Sequence, residues 1–150
     1  MILQIIKYGD KILHKKCKKI KQNIFFEGLF ENMFNTLLEN MFNTLLKYGG
    51  VGLAAPQIGI SLRLFIINSF DSRKNIFLNT KILKQFGVYK EYCEGCLSLP
   101  KSFYRIKRKE IILIEYFDEK WRRHNIHIKG FLARVILHES DHINGKLIIL

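Results

Sequence analysis

No stretch of this chain approaches the roughly 20 consecutive apolar residues of a membrane-spanning helix, which excludes that class of membrane protein. No secretory signal peptide is visible, because Lys7, Asp10 and Lys11 interrupt the first apolar run. Cysteine is scarce and odd in number, three in 150 residues. A disulfide framework is therefore not expected, and a reducing, cytoplasmic compartment is. Acidic residues are few: 13 Asp and Glu against 25 Lys and Arg leave a formal charge of +12. Such an excess would suit an acidic partner such as RNA. The lysines are scattered, however, and neither an arginine-rich helix nor an aromatic RNA platform accompanies them. A Lys-, Ile- and Asn-rich composition inherited from an AT-biased genome explains the charge more simply, and no DNA partner is expected. What is abundant is apolar. Hydrophobic residues at 48% and aromatics at 13% exclude a disordered chain, and 150 residues suffice for one domain with its own core.

The chemistry concentrates near the C-terminus, in L-H-E-S-D-H-I-N-G from Leu137 to Gly145. His138 and His142 are four residues apart, so a helix stacks their rings on one face. At about 100° per residue, Phe131, Val135, His138 and His142 share one arc, and the imidazoles continue an apolar, inward-facing stripe. Glu139 borders that face, where a carboxylate reaches a metal-held water without being a ligand, the H-E-x-x-H arrangement of metal hydrolases. The competing interpretation is a plain helix with one buried and one solvated histidine. After His142 there is no His, Cys, Asp or Glu, so any third protein ligand comes from upstream.

In chain order, Met1 to Ile20 reads as an extended segment followed by a small basic helix from about Asp10, a candidate N-cap. A long helix is expected from Asn23 to Lys47. Within it, Glu31 to Leu38 is E-N-M-F-N-T-L-L, and Glu39 to Leu46 repeats the same eight residues. Its apolar positions recur every four residues, one row from Phe25 to Leu45 and another from Phe26 to Leu46. That spacing overshoots the helical period by about 40° a step, so the stripe winds around the helix and one flat face cannot bury it. Two copies inside one helix make a local duplication, not a repeat architecture. Gly49 to Ile60, G-G-V-G-L-A-A-P-Q-I-G-I, reads as a loop whose small residues let backbone pass close to another object. It lacks the Lys-Ser/Thr ending of a phosphate-binding loop. Gln57 is its one side chain with both a donor and an acceptor.

Strands are expected at Leu62 to Asn68 and Asn75 to Asn79, then an irregular segment to Glu91. Cys93 to Pro100 is C-E-G-C-L-S-L-P. A zinc ribbon would need a second C-x-x-C, and a redox pair would want a helix after it, whereas Leu97 to Pro100 looks extended. One thiolate joining two histidines fits better, which leaves Cys96 or Cys93 as third ligand. Ile111 to Phe117 and Arg122 to Ile128 form a hairpin around Asp118 to Trp121, with His124 and His127 as surface or structural histidines. Gly130 precedes the histidine helix, and Gly145 is placed to end it.

Gly50 to Gln57, Glu94 to Ser98 and the H-E-S-D-H helix, in that order, resemble the three signatures of the peptide deformylase family. Leu78-Asn79, Arg108 and Gly130 to Ala133 look similar too, and the resemblance runs from Ile2 to Leu147. It implies an α+β fold with antiparallel strands packed around a central metal-binding helix. It implies that Cys96, His138 and His142 hold one divalent metal ion, Fe²⁺ first, with Zn²⁺, Ni²⁺ or Co²⁺ as substitutes, and that Cys93 stays outside. One thiolate and two neutral imidazoles leave a fourth position for water. The implied reaction is hydrolysis of an N-formylmethionyl peptide to formate and a free N-terminus. Glu139 would carry the proton, and Gln57 with the backbone N–H of Leu97 would meet the oxyanion. Gly52 would pair with substrate backbone, and Val51, Phe131 and Val135 would line the methionine pocket. Three features depart from the family pattern: Leu137 where Gln is usual, the duplicated octapeptide, and an end at Leu150 without the C-terminal tail that helps some members dock on the ribosome. On a helical wheel Leu137 faces Ser140, Asp141 and Asn144, away from the metal. Ribosome association is therefore expected to be transient at most. The alternative reading is an inactive deformylase-like basic domain that binds RNA or a ribosomal surface.

Overall fold

The computed structural model describes residues 1–22, 28–68 and 74–149, the side chains at 29, 30 and 74 excepted. Among them, five antiparallel strands form one sheet in chain order: β1 Gly52–Ala54, β2 Leu64–Asn68, β3 Lys74–Cys96, β4 Leu99–Phe117 and β5 Arg123–Lys129. Two helices accompany it, α1 Gly28–Tyr48 and α2 Phe131–Ile143. The fold is α+β.

Strand β2 shows why both helices are needed. Its residues Leu64 to Ile67 are all buried, an unbroken apolar run rather than an alternating one. Successive side chains of a strand point to opposite faces. Leu64 and Ile66 join Met41, Phe42 and Leu45 of α1, whereas Phe65 and Ile67 join Ala133, Ile136 and Ile143 of α2. The helices thus cover opposite faces of the sheet. Leu137 packs in the α2 cluster, buried rather than on the polar face expected of it.

Several local expectations are corrected. The basic helix after Asp10 is a single 3-10 turn, Lys11–His14, with Asp10 capping it through Ile12 N–H at 3.1 Å. Residues 49–60 are not all loop, since β1 is followed by a 3-10 turn, Ala55–Ile58. The supposed irregular segment to Glu91 is the middle of β3. Its side chains are mostly exposed, so no hydrophobic alternation marks it. The β4 ladder holds it instead, with register shifts that absorb Asn79 (φ 53°) and Gly87 (φ 80°). The hairpin around Asp118 to Trp121 and the end of α2 stand as expected: Asn144 caps the helix, and Gly145 follows at φ 78°.

Asp118 staples the β4–β5 turn. Its carboxylate accepts from the N–H groups of Lys120 and Arg122, both at 2.9 Å, and lies 2.8 Å from His124 Nε2. Burial pushes its carboxyl up, but His124, these N–H groups and the Arg122 guanidinium outweigh that and hold it at about 2. A folded value below the unfolded one of about 3.9 gives stability that is present above about pH 4 and lost as pH falls towards 2. In urea titrations Asp118→Asn should therefore unfold earlier than wild type at pH 6, with the gap narrowing as pH drops. A gap that widened in acid would overturn this role.

The duplicated octapeptide lies within α1, but its copies differ in burial. Met41, Phe42, Thr44 and Leu45 of the second copy are buried, whereas Met33, the twin of Met41, is 59% exposed. The winding stripe is thus partly bare at both ends, since Leu46 is 61% exposed whereas its twin Leu38 is buried. Phe25 and Phe26 lie outside the described residues. Deleting either copy yields the same chain. It should rejoin the retained copy to the rest of α1 with two turns and about 80° of rotation removed. Melting temperature and formate release should stay at or above the parent's, and light scattering should fall as the Met33 surface goes. Unfolding or lost turnover would show that the extra turns belong to the core.

Candidate functional site

Helix α2 places His138 and His142 one turn apart, with Nε2 atoms 3.3 Å from each other and rings edge-on. Cys96, the last residue of β3, brings Sγ to 3.4 Å from His142 Nε2. The three donor atoms all lie within 4.8 Å of one another. A tetrahedral ion with metal–nitrogen bonds of about 2.0–2.1 Å and a metal–sulfur bond of about 2.3 Å has donor–donor edges of roughly 3.3–3.6 Å. The two short distances match those edges. One thiolate and two imidazoles are also the right donor chemistry for a borderline divalent cation. Cys93 is exposed and outside this group. His124 is taken up by Asp118 and the Tyr116 ring, and His127 is exposed against Phe86.

Behind His138 lies a buried ionic network. Glu94 Oε1 is 3.0 Å from His138 Nδ1, and its carboxylate accepts two bonds from Arg108, at 2.7 and 2.9 Å. Arg134 also donates to Glu94, and Arg108 reaches Asp141 at 3.0 Å. Donation from Nδ1 leaves the Nε2 lone pair of His138 facing Cys96 and His142, the usual way an outer carboxylate orients a ligand imidazole. Burial pushes Glu94 up, but His138 and Arg108 outweigh it and hold it at about 2. Burial opposes charge on His138 too, yet Glu139, Cys96 and Glu94 raise it to about 10. His142, buried beside it, is pushed well below the usual imidazole range. The carboxylates and the thiol thus favour a cation at the three donor atoms.

Glu139 is buried, with its carboxylate lying over Gly52. A Cβ at position 52 would lie 2.6 Å from Glu139 Oε2, so any larger residue there must displace the Glu139 carboxylate. Its Oε2 is 4.0 Å from His138 Nε2, and among the described residues Oε1 has no hydrogen-bond partner. Burial raises its carboxyl to about 7. Gln57 sits on the 3-10 turn; its Oε1 accepts from Ala54 N–H at 3.0 Å. Its Nε2 donates to Ser98 Oγ at 3.2 Å and lies 3.6 Å from Cys96 Sγ. Leu97 is in the two-residue turn between β3 and β4.

Cys96 and His138 line a cleft of about 630 Å³. Val51, Gly52, Phe131 and Val135 all line it, with Leu97, Gln57 and Glu139. Phe131, expected on the inward stripe, is 52% exposed at the cleft mouth. Sequence reasoning missed Ser98 as the anchor of Gln57, and Glu94 and Arg134 as supports of His138. Arg134 left a signal: a charged residue inside F-L-A-R-V-I-L demands a buried partner.

A family model described as polypeptide deformylase matches residues 2–150. The peptide deformylase of Karelsulcia muelleri (strain GWSS) is 45% identical over 154 residues, covering 99% of this chain and 77% of that protein. That of Dictyoglomus turgidum (strain DSM 6724 / Z-1310) is 40% identical over 151 residues, covering 99% and 92%. The crystal structure of peptide deformylase from Thermotoga maritima superposes with a TM-score of 0.89 at 36% identity, covering 99% of this chain and 96% of that one. A peptide deformylase from Synechococcus elongatus in complex with actinonin gives 0.88 at 33%, covering 98% and 76%.

Proposed function

We infer the roles of the site from one premise: the chain belongs to the peptide deformylase family. It is a metal-dependent hydrolase that removes the N-formyl group from N-formylmethionyl nascent peptides. The proposal concerns which residues do this. Cys96, His138 and His142 would hold the divalent ion, with α2 as the central metal-binding helix, and Fe²⁺ is the metal proposed, with Zn²⁺, Ni²⁺ or Co²⁺ able to substitute. Such an ion supplies a Lewis acid that lowers the pKa of water and polarises a carbonyl. Glu139 takes the proton of the attacking water and hands it to the departing amine. Gln57, through its amide, and Leu97, through its backbone N–H, donate to the formyl oxygen as it gains charge.

Substrate backbone adds along β1. Among the described residues that strand pairs with β2 alone, which leaves its other edge, at Gly52, for an extended peptide. Val51, Phe131 and Val135 wall in the methionine side chain. Residues 1–150 act as one catalytic domain in the cytoplasm. The observation that carries it is the thiolate and two imidazoles gathered beneath Glu139. Formate release from a formyl-Met peptide, with anaerobic Fe²⁺ and with Zn²⁺, tests it; no release with either ion would overturn it.

A further inference from the structure

We propose that Lys7 and Lys101 select formyl peptides with a carboxylate just downstream of the methionine. This inference rests on the deformylase reading, because that reaction fixes how the cleft is filled. The acyl group removed is a single carbon. Nearly all of the 630 Å³ cleft must therefore hold the amine side of the scissile bond: the methionine and the residues after it.

The cleft is asymmetric in charge. Among the described residues its only lining carboxylates are Glu94 and Glu139. Both are buried, the first committed to two arginines and the second at the reacting centre. Lys7 and Lys101 line the same cleft from exposed positions. Among the described residues neither has an acidic partner within ion-pair distance.

Both lysines are placed, not merely present. The residues flanking Lys7 are pinned to the site's two loops, Ile6 N–H to Gln57 O at 2.7 Å and Tyr8 N–H to Ser98 O at 2.9 Å. Its ammonium donates to the Leu97 carbonyl at 3.4 Å. Lys101 sits on a bulge. The register of β3 and β4 jumps from Cys96↔Leu99 to Gly95↔Phe103, which leaves Pro100, Lys101 and Ser102 unpaired beside the site. Lys101 itself is at φ 61°, a left-handed conformation uncommon for a residue other than glycine. Bulges beside active sites re-aim side chains, and this one directs a cation to the cleft. A carboxylate is the group such a rim attracts, whether an Asp or Glu side chain or the free end of a short peptide.

The test compares kcat/KM for C-terminally amidated formyl-Met-Ala-Xaa-Ala and formyl-Met-Xaa-Ala-Ala with Xaa as Glu, Gln or Lys. A formyl-Met-Ala-Ala pair, free acid against amide, separates a chain end from a side chain. At about 10 mM ionic strength, where screening reaches about 30 Å, the Glu to Lys ratio should be roughly tenfold. It should shrink towards one at about 1 M salt. In the K7E/K101E variant the ratio should fall below one. Each ratio is taken within one enzyme, so partial misfolding cancels. If only the free-acid peptide gains, the rim reads the chain end. A wild-type ratio within about twofold of one in every pair, or a ratio that charge reversal leaves unchanged, overturns the proposal while turnover itself upholds the deformylase reading. No formate from any peptide overturns both.

Discussion

Replacing Glu139 with alanine should leave the metal content intact and lower turnover by about 10²- to 10⁴-fold, the usual worth of general acid–base catalysis. The two effects separate because Glu139 is not one of the three clustered donors: its carboxylate is 4.0 Å from His138 Nε2 and lies across Gly52. Burial holds its carboxyl near 7, so it can accept a proton and return it under the same conditions. Alanine also leaves a gap above Gly52, so Glu139→Gln is the sharper variant. It keeps the shape and loses the base, and both variants should show the same loss. Metal analysis and formate release on the same preparations decide the matter. Activity within about threefold of wild type in either variant would sink the role.

Metal occupancy should fall in a graded series. Cys93→Ala should bind metal like wild type, Glu94→Gln should bind about 10- to 100-fold more weakly, and Cys96→Ala should lose stoichiometric binding. The order follows from position. Cys96 Sγ is 3.4 Å from His142 Nε2, whereas Cys93, three residues earlier on β3, has its side chain in solvent. Glu94 meets His138 at Nδ1, so a neutral amide there weakens its hold on the ring without removing a donor. Equal metal loss in the two cysteine variants would show that the wrong sulfur was chosen.

What could be read from the sequence was what repeats or what is chemically rare. The i, i+4 histidines put both rings on one helix face whatever surrounds them, and the cysteines of C-E-G-C offered a third donor. Periodicity also found α1, the β4–β5 hairpin and the apolar strand β2. It found Asn75 to Asn79 but failed on the rest of β3, where exposed lysines and aromatics obey no period because a partner strand, not a core, holds them. It failed on Glu94 for a different reason. A carboxylate is confined by what faces it, and Arg108, Arg134 and His138 arrive from 14, 40 and 44 residues away. The burial difference between the two octapeptides was equally hidden, since identical sequences carry no hint of which one meets the sheet.

The position of Cys96 at the β3–β4 turn also sets an order in time. The cysteine is synthesised 46 residues before His142. At about 5–20 residues per second, that separation lasts roughly two to nine seconds. The β3–β4 pairing is local in sequence and forms from residues already made, whereas both imidazoles belong to the last helix described. During that interval the thiol has neither histidine beside it, so oxidation of the nascent chain competes with assembly. Oxidant present during synthesis should therefore cost more active enzyme than the same dose given after the chain has folded and taken up metal.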